Sequence, residues 1–136
     1  MTTLHGKAHL EQYLRTDGAE GYHWRNGTTI LILTTTGRRS GEDYSTPLIF
    51  REHRGDYLVV ASKGGSDEDP DWYRNLQAHP DVRVQIKGDR FAAKARTATP
   101  EEKPELWALM TEVWPDYDAY QQDTGRDIPV VVLSRT

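Results

Sequence analysis

The chain has 136 residues, a formal net charge of −4 and no cysteine. That length suits one compact domain with its own core; the missing thiols exclude disulfide frameworks, thiolate catalysis and Cys-ligated metals, and the acidic balance argues against a nucleic-acid binder. No charged start leads into an apolar run and no apolar stretch nears the roughly 20 residues of a membrane span, so neither a signal peptide nor an integral membrane segment is expected, and a cytoplasmic protein is.

Lys7 to Thr16 reads as a weak helix with Leu10, Tyr13 and Leu14 on one face. Gly18, Gly21, Asn26 and Gly27 then break the pattern. Residues 1–27 are set apart as an N-terminal segment, helical or partly disordered, and 28–136 as a single domain. Thr28 to Thr36 is β-branched and apolar and predicts a buried strand. After the loop Gly37-Arg38-Arg39-Ser40-Gly41, Tyr44 to Arg51 predicts a second strand, with Pro47 marking an edge or a bulge. A turn at His53 to Asp56 leads to a third strand, Tyr57 to Ser62.

Lys63 to Asp69 is a loop rich in Gly and Asp. Pro70 to Ala78 reads as a short helix with proline at its first position and Pro80 as its stop. Val82, Val84 and Ile86 alternate with polar residues, as do Phe91, Ala93 and Ala95 across the Gly88-Asp89 turn, which predicts a hairpin. Thr99, Pro100 and Glu102 form a capping box ahead of a helix with Leu106, Leu109, Met110 and Val113 on its apolar stripe. Trp114-Pro115 ends that helix. Asp116 to Asp123 is a short aromatic helix or turn, and Ile128 to Leu133 a final strand. Consecutive strands and a hairpin imply antiparallel pairing, and closure would remove exposed edges. An α+β barrel is therefore expected, and no G-x-G-x-x-G follows a strand to support a dinucleotide fold.

Four segments carry residues suited to chemistry. Gly37 to Gly41 offers bare backbone N–H groups, two forked cations in Arg38 and Arg39, and the Ser40 hydroxyl, a set that suits an anion; a solvated turn explains it equally well. Ala61-Ser62-Lys63-Gly64-Gly65 combines a point charge with two glycines directly after a strand, or is a plain glycine turn. On the next helix, Trp72 and Tyr73 suit a pocket or a core, and Asn75 suits a ligand donor or a helix end. Trp114, Tyr117 and Tyr120 are spaced by three and share a helix face, as core or as an aromatic wall with hydroxyl tips. His5 and His9 are four apart with no third ligand evident, so no metal site is expected.

Taken in order, these segments resemble the deazaflavin-dependent nitroreductase family of flavin/deazaflavin oxidoreductases. The likeness runs through Leu33-Thr34-Thr35-Thr36-Gly37-Arg38-Arg39-Ser40-Gly41, Thr46-Pro47-Leu48-Ile49, Ala61-Ser62-Lys63-Gly64-Gly65, Pro70-Asp71-Trp72-Tyr73-Arg74-Asn75-Leu76, His79-Pro80, Ala95-Arg96, Trp114-Pro115 with Tyr117 and Tyr120, and Ile128-Pro129-Val130-Val131-Val132. The resemblance implies a split β-barrel of mostly antiparallel strands, similar to FMN-binding barrels, with flanking helices. It implies the deazaflavin coenzyme F-420, in reduced form, as donor of hydride to a quinone, enone or nitroaromatic.

On that likeness, Arg38, Arg39 and Ser40 hold the cofactor's anionic tail. Ser62, Lys63, Gly64, Gly65, Trp72 and Asn75 border the rest of it, and Trp114, Tyr117 and Tyr120 form the substrate wall. Tyr117, Tyr120, Ser62 or water supplies the proton. Glu42 and Asp43 stand where the family often carries a basic pair. They keep FMN open as the alternative cofactor, beside a non-catalytic deazaflavin-binding or storage role. The partners expected are a small-molecule substrate and, as monomer or homodimer, at most a second copy of the chain.

Overall fold

The computed structural model describes residues 6–136. Its elements are α1 (Gly6–Thr16), β1 (Ile30–Thr36), β2 (Asp43–Ile49), β3 (Arg51–His53), β4 (Asp56–Val60), α2 (Asp71–Ala78), β5 (Asp81–Ile86), β6 (Asp89–Thr97), α3 (Lys103–Val113), α4 (Asp116–Gln122) and β7 (Val130–Arg135). Short 3-10 turns lie at Arg25–Gly27 and Lys63–Gly65. His5, noted above beside His9, lies outside the described residues.

The strands form one antiparallel sheet in the order β2-β1-β5-β6-β7-β4-β3. Its two ends, β2 and β3, are consecutive pieces of one stretch with only Phe50 between them. Ile49 pairs with Ile30 on β1, while Arg51 pairs with Leu58 on β4. A single bent stretch thus supplies both edges, and the sheet curls until they meet. This is the expected α+β split β-barrel. The uninterrupted strand expected over Tyr44 to Arg51 is corrected by the same fact: a straight strand cannot serve β1 and β4 at once, so it turns at Phe50. Pro47 lies on β2, an edge strand, where a missing N–H is tolerated.

Alternation sorts the side chains. Leu31, Leu33, Val59, Val82, Val84, Phe91, Ala93, Val131 and Leu133 point into the barrel, joined by Trp72, Tyr73 and Leu76 of α2. Each large aliphatic side chain buried there contributes about 1.5–3 kcal/mol. The opposite faces of β4 and β7 bury Leu58, Val60, Val130 and Val132 under Leu106, Met110 and Tyr117 of α3 and α4. β7 is covered on both faces, which is why Val130 to Leu133 is an unbroken apolar run. The two bonds of the expected box form, with Thr99 N–H donating to Glu102 Oε1 at 2.8 Å and Glu102 N–H to Thr99 Oγ1 at 3.3 Å, but they close a turn ahead of α3, which starts at Lys103 and not at Pro100.

α1 covers the outer face of β1 through Tyr13 against Ile30 and Ile32. Its buried residues are His9 and Tyr13, whereas Leu14 is exposed. The expected apolar face is therefore turned by about one position, because His9 and Tyr13, four apart, sit one above the other toward the sheet. The fully buried Tyr13 hydroxyl donates to Ile30 O at 2.9 Å and accepts from Lys87 N–H at 2.7 Å, which pins α1 to β1 and to the β5–β6 turn. Burial pushes the Tyr13 phenol up from its ordinary range.

Tyr13→Phe leaves that N–H and C=O unpaired, and a loss of about 1–3 kcal/mol is expected in urea unfolding. A phenol whose folded pKa is raised stabilises the fold fully below the ordinary tyrosine value of ~10, and its contribution falls away above it. The urea midpoint of the wild type should therefore drop above that pH, and more steeply than that of Tyr13→Phe.

Candidate active site

The two glycine loops open onto one cleft with two lobes. The first lobe, about 450 Å³, is bordered by Ser62, Lys63 and Gly64 and by Trp114, Tyr117 and Tyr120. The second, also about 450 Å³, is bordered by Gly37, Arg38, Arg39, Ser40, Tyr44 and Asn75. Trp72 and Asp71, at the start of α2, line both. Trp72 is thus the shared wall between a basic end and an aromatic end.

The basic end is built by a tight turn. Gly37 N–H donates to Glu42 O at 2.7 Å, and Gly41 N–H to Gly37 O at 3.0 Å. A Cβ at Gly37 would come within 2.5 Å of Ser40 Oγ and 2.7 Å of the Tyr44 ring, so any larger residue would displace both side chains. Asn75, nearly buried, organises Arg38: its Oδ1 accepts from the Arg38 backbone N–H at 3.2 Å and from the guanidinium at 2.8 Å, while its Nδ2 donates to Thr35 Oγ1 at 3.3 Å. The second arm of Arg38 reaches the exposed Asp71 at 3.4 Å. Arg39 is exposed at the mouth. Of the two carboxylates that kept FMN open, Asp43 is ion-paired with Arg83, and neither Glu42 nor Asp43 borders this lobe.

The aromatic end begins where β4 stops. Lys63, Gly64 and Gly65 all have positive φ, at 46°, 63° and 88°. A Cβ at Gly64 would meet nothing within 4 Å, so bare backbone faces the open cleft there. Gly65 is the one member of the expected set that lines neither lobe. Its hydrogen side packs on α4, where a Cβ would stand 3.1 Å from the Tyr120 backbone. The loop is held from behind by Arg126, which donates to Ala61 O (3.1 Å), Ser62 O (2.9 Å), Ser66 O (2.7 Å) and Asp69 Oδ1 (3.0 Å). Sequence reasoning missed Arg126, whose only mark is being the sole cation between Lys103 and Arg135.

Trp114, at the end of α3, donates to Tyr120 Oη at 3.3 Å and stacks on Trp24 at 5.5 Å between ring centroids. Tyr117 is 5% exposed, touches the rings of Trp107 and Tyr120, and its hydroxyl has no protein partner among the described residues. Burial drives its phenol pKa well above the ordinary range, with the neighbouring Tyr120 adding to the rise. It therefore keeps its proton across the physiological range. The N-terminal segment, left without a role by sequence, brings His9 and Trp24 to this lobe. Among the described residues no group of three or more His, Cys, Asp or Glu could hold a metal, and no helix is long and apolar enough to cross a membrane.

The molecule is an antiparallel split barrel with a cleft that is cationic at one end and aromatic at the other. The family profile F420H(2)-dependent quinone reductase matches residues 5–135, and the chain belongs to that family. It is similar to the F420H(2)-dependent quinone reductase Rv1261c of Mycobacterium tuberculosis, at 36% identity over 132 residues, covering 95% of this chain and 89% of that protein. Among solved structures it is similar to an F420-H2 dependent reductase, FDR-A, at 40% identity and TM-score 0.72, covering 77% of this chain and 93% of that one. A domain-swapped dimer matches at 38% identity and TM-score 0.74 over 92% and 96% of the two chains. The heme storage protein HutZ of Vibrio cholerae, at 16% identity and TM-score 0.64, shares the fold over 98% of this chain and 92% of that one. The protein is accordingly an oxidoreductase of the deazaflavin class, with reduced coenzyme F-420 as hydride donor.

The cleft fits that coenzyme. An anionic tail needs the cations and backbone donors of the second lobe, and a flat ring needs the apolar, glycine-lined first lobe. Because four acceptors depend on Arg126, Arg126→Ala should cost about 3 kcal/mol. Amide hydrogen exchange should show residues 61–69 losing protection before the barrel strands do.

Proposed function

We propose that the cleft holds the coenzyme with its tail toward Arg38, Arg39 and Ser40 and its ring beside Ser62, Lys63, Gly64 and Trp72. The acceptor, a quinone in preference to an enone or nitroaromatic, then lies against Trp114, Tyr117 and Tyr120. One observation carries this reading: cations and an unpartnered, buried phenol stand at opposite lobes of a cleft joined at Trp72. When bound, the reduced deazaflavin supplies a hydride, two electrons with one proton.

The chain's own residues do the rest. Arg38 binds tail oxygens with a guanidinium already oriented by Asn75, so little ordering cost remains at binding. Arg39 adds charge at the mouth. Gly64 lets the ring approach backbone closely. Tyr117 donates a hydrogen bond to the acceptor oxygen on which negative charge develops, in a lobe walled by indole and phenol rings where such a bond is worth most. Trp24 and Trp114 limit water at that end.

Binding is tested by titrating the protein with F-420 and with FMN and following fluorescence. Micromolar or tighter binding of F-420 is expected, about −8 kcal/mol or better, with much weaker FMN binding. Arg38→Ala with Arg39→Ala should weaken F-420 by about tenfold or more and flatten its salt dependence; unchanged affinity sinks the tail assignment. Tyr117→Phe should lower kcat for menadione about a hundredfold and leave F-420 affinity intact. Tight binding with no turnover of any quinone, enone or nitroaromatic would instead make the protein a coenzyme store.

A further inference from the structure

Reduction of a quinone by hydride leaves an oxyanion that must gain a proton, and Tyr117 is poorly suited to give one, since burial makes its phenol a still weaker acid. A second side chain that can carry a proton stands on the other wall. His9 is 2% exposed and lines the aromatic lobe from α1. Its Nε2 lies 2.7 Å from Gly21 O. A carbonyl can only accept, so Nε2 carries a hydrogen, and in the neutral ring Nδ1 holds the lone pair.

No protein group bonds Nδ1 among the described residues. Nor is any unpartnered side-chain nitrogen or oxygen sealed away from solvent among them. Nδ1 therefore opens outward, and the opening that His9 borders is the cleft. The ring is held by Trp24 at 6.2 Å, itself stacked on Trp114, so the imidazole belongs to the same aromatic arch as the tyrosines. Gly21 permits this seat: a Cβ there would fall 3.0 Å from His9 Cδ2.

We propose that His9 is a catalytic acid of the acceptor site, delivering a proton from Nδ1 to the reduced acceptor's oxygen while Nε2–H stays on Gly21. This rests on the function proposed above. The balance is complete: the quinone gains two electrons and a proton as hydride, and a second proton from imidazolium. An O–H bond forms, the Nδ1–H bond breaks, and neutral His9 is recharged from solvent. An imidazolium is in general a stronger acid than a phenol by about three orders of magnitude, which suits it chemically to protonate a phenolate-like oxygen. The ionisable groups around this wall are Lys63, Asp71, Tyr117 and Tyr120 in the cleft, Tyr13 one turn further along α1, Glu20, Tyr22 and His23 beside Gly21 and Trp24, and Arg25 over the Trp24 ring; Lys7 and Glu11 are exposed on α1 itself.

The test uses His9→Gln, whose amide keeps a donor for Gly21 O and has no acid to offer. The variant should keep the wild-type urea midpoint and F-420 affinity. With menadione it should lose about a hundredfold in kcat/KM at pH 6. Imidazole nitrogen NMR of the coenzyme-free protein should find the Nε2–H form when His9 is neutral, and menadione should shift the Nδ1 resonance. Equal rates for variant and wild type at every pH, or an Nδ1–H neutral form, overturn the role of His9 alone. A wild type inert to every quinone overturns the functional reading and this one together.

Discussion

The bend at Phe50 is the constraint on which the rest of the molecule depends. One stretch of chain must pair with β1 before the bend and with β4 after it. That double duty closes the sheet, fixes which side chains face inward, and sets the end of β2 near the end of β4. Pro47, Leu48 and Ile49 on one side and Val60 and Ser62 on the other then become opposite walls of a single cleft. The Phe50 ring, 7% exposed, packs edge-on against Tyr22 and Tyr57, so the corner is filled as well as turned.

Within that frame the two ends of the cleft solve different problems. An anionic tail is best met by charge that is already oriented, and Asn75 does this for Arg38 through two bonds to one oxygen. A flat ring and its acceptor need backbone without side chains and a wall with few competing polar groups. Three successive left-handed residues provide the first, and they stay in place because Arg126 gathers their neighbouring carbonyls on the far side. Polar groups are few at the acceptor end, but among the described residues two polar atoms there, Nδ1 of His9 and the Tyr117 hydroxyl, have no protein partner.

Much of this was legible beforehand, for local reasons. Alternation in β5 and β6 and the β-branched run of β1 are short-range signals, and those strands formed close to where they were expected, whereas the Thr99–Glu102 box closed a turn ahead of α3, which begins only at Lys103. The turn of the hairpin fell one position early, on Lys87 and Gly88, with Asp89 already paired to Ile86. The glycine loops, Trp72 and the three aromatic residues after α3 announced themselves by composition and order. What stayed hidden depends on pairing across long separations. Nothing local distinguishes Phe50 from the strand around it. Arg126 acts on residues some 60 positions away. His9 enters the cleft because α1 is pinned through Tyr13 to the β5–β6 turn, and a weak amphipathic pattern that also fits Leu14 does not reveal that rotation.

The stacked pair Trp24 and Trp114 has an optical consequence. Two indoles at 5.5 Å with planes 30° apart couple their electronic transitions, and one of them belongs to the N-terminal segment while the other belongs to the barrel's last helical pair. Their joint near-ultraviolet dichroism is therefore a built-in gauge of whether that segment is seated over the mouth of the cleft, readable without any label.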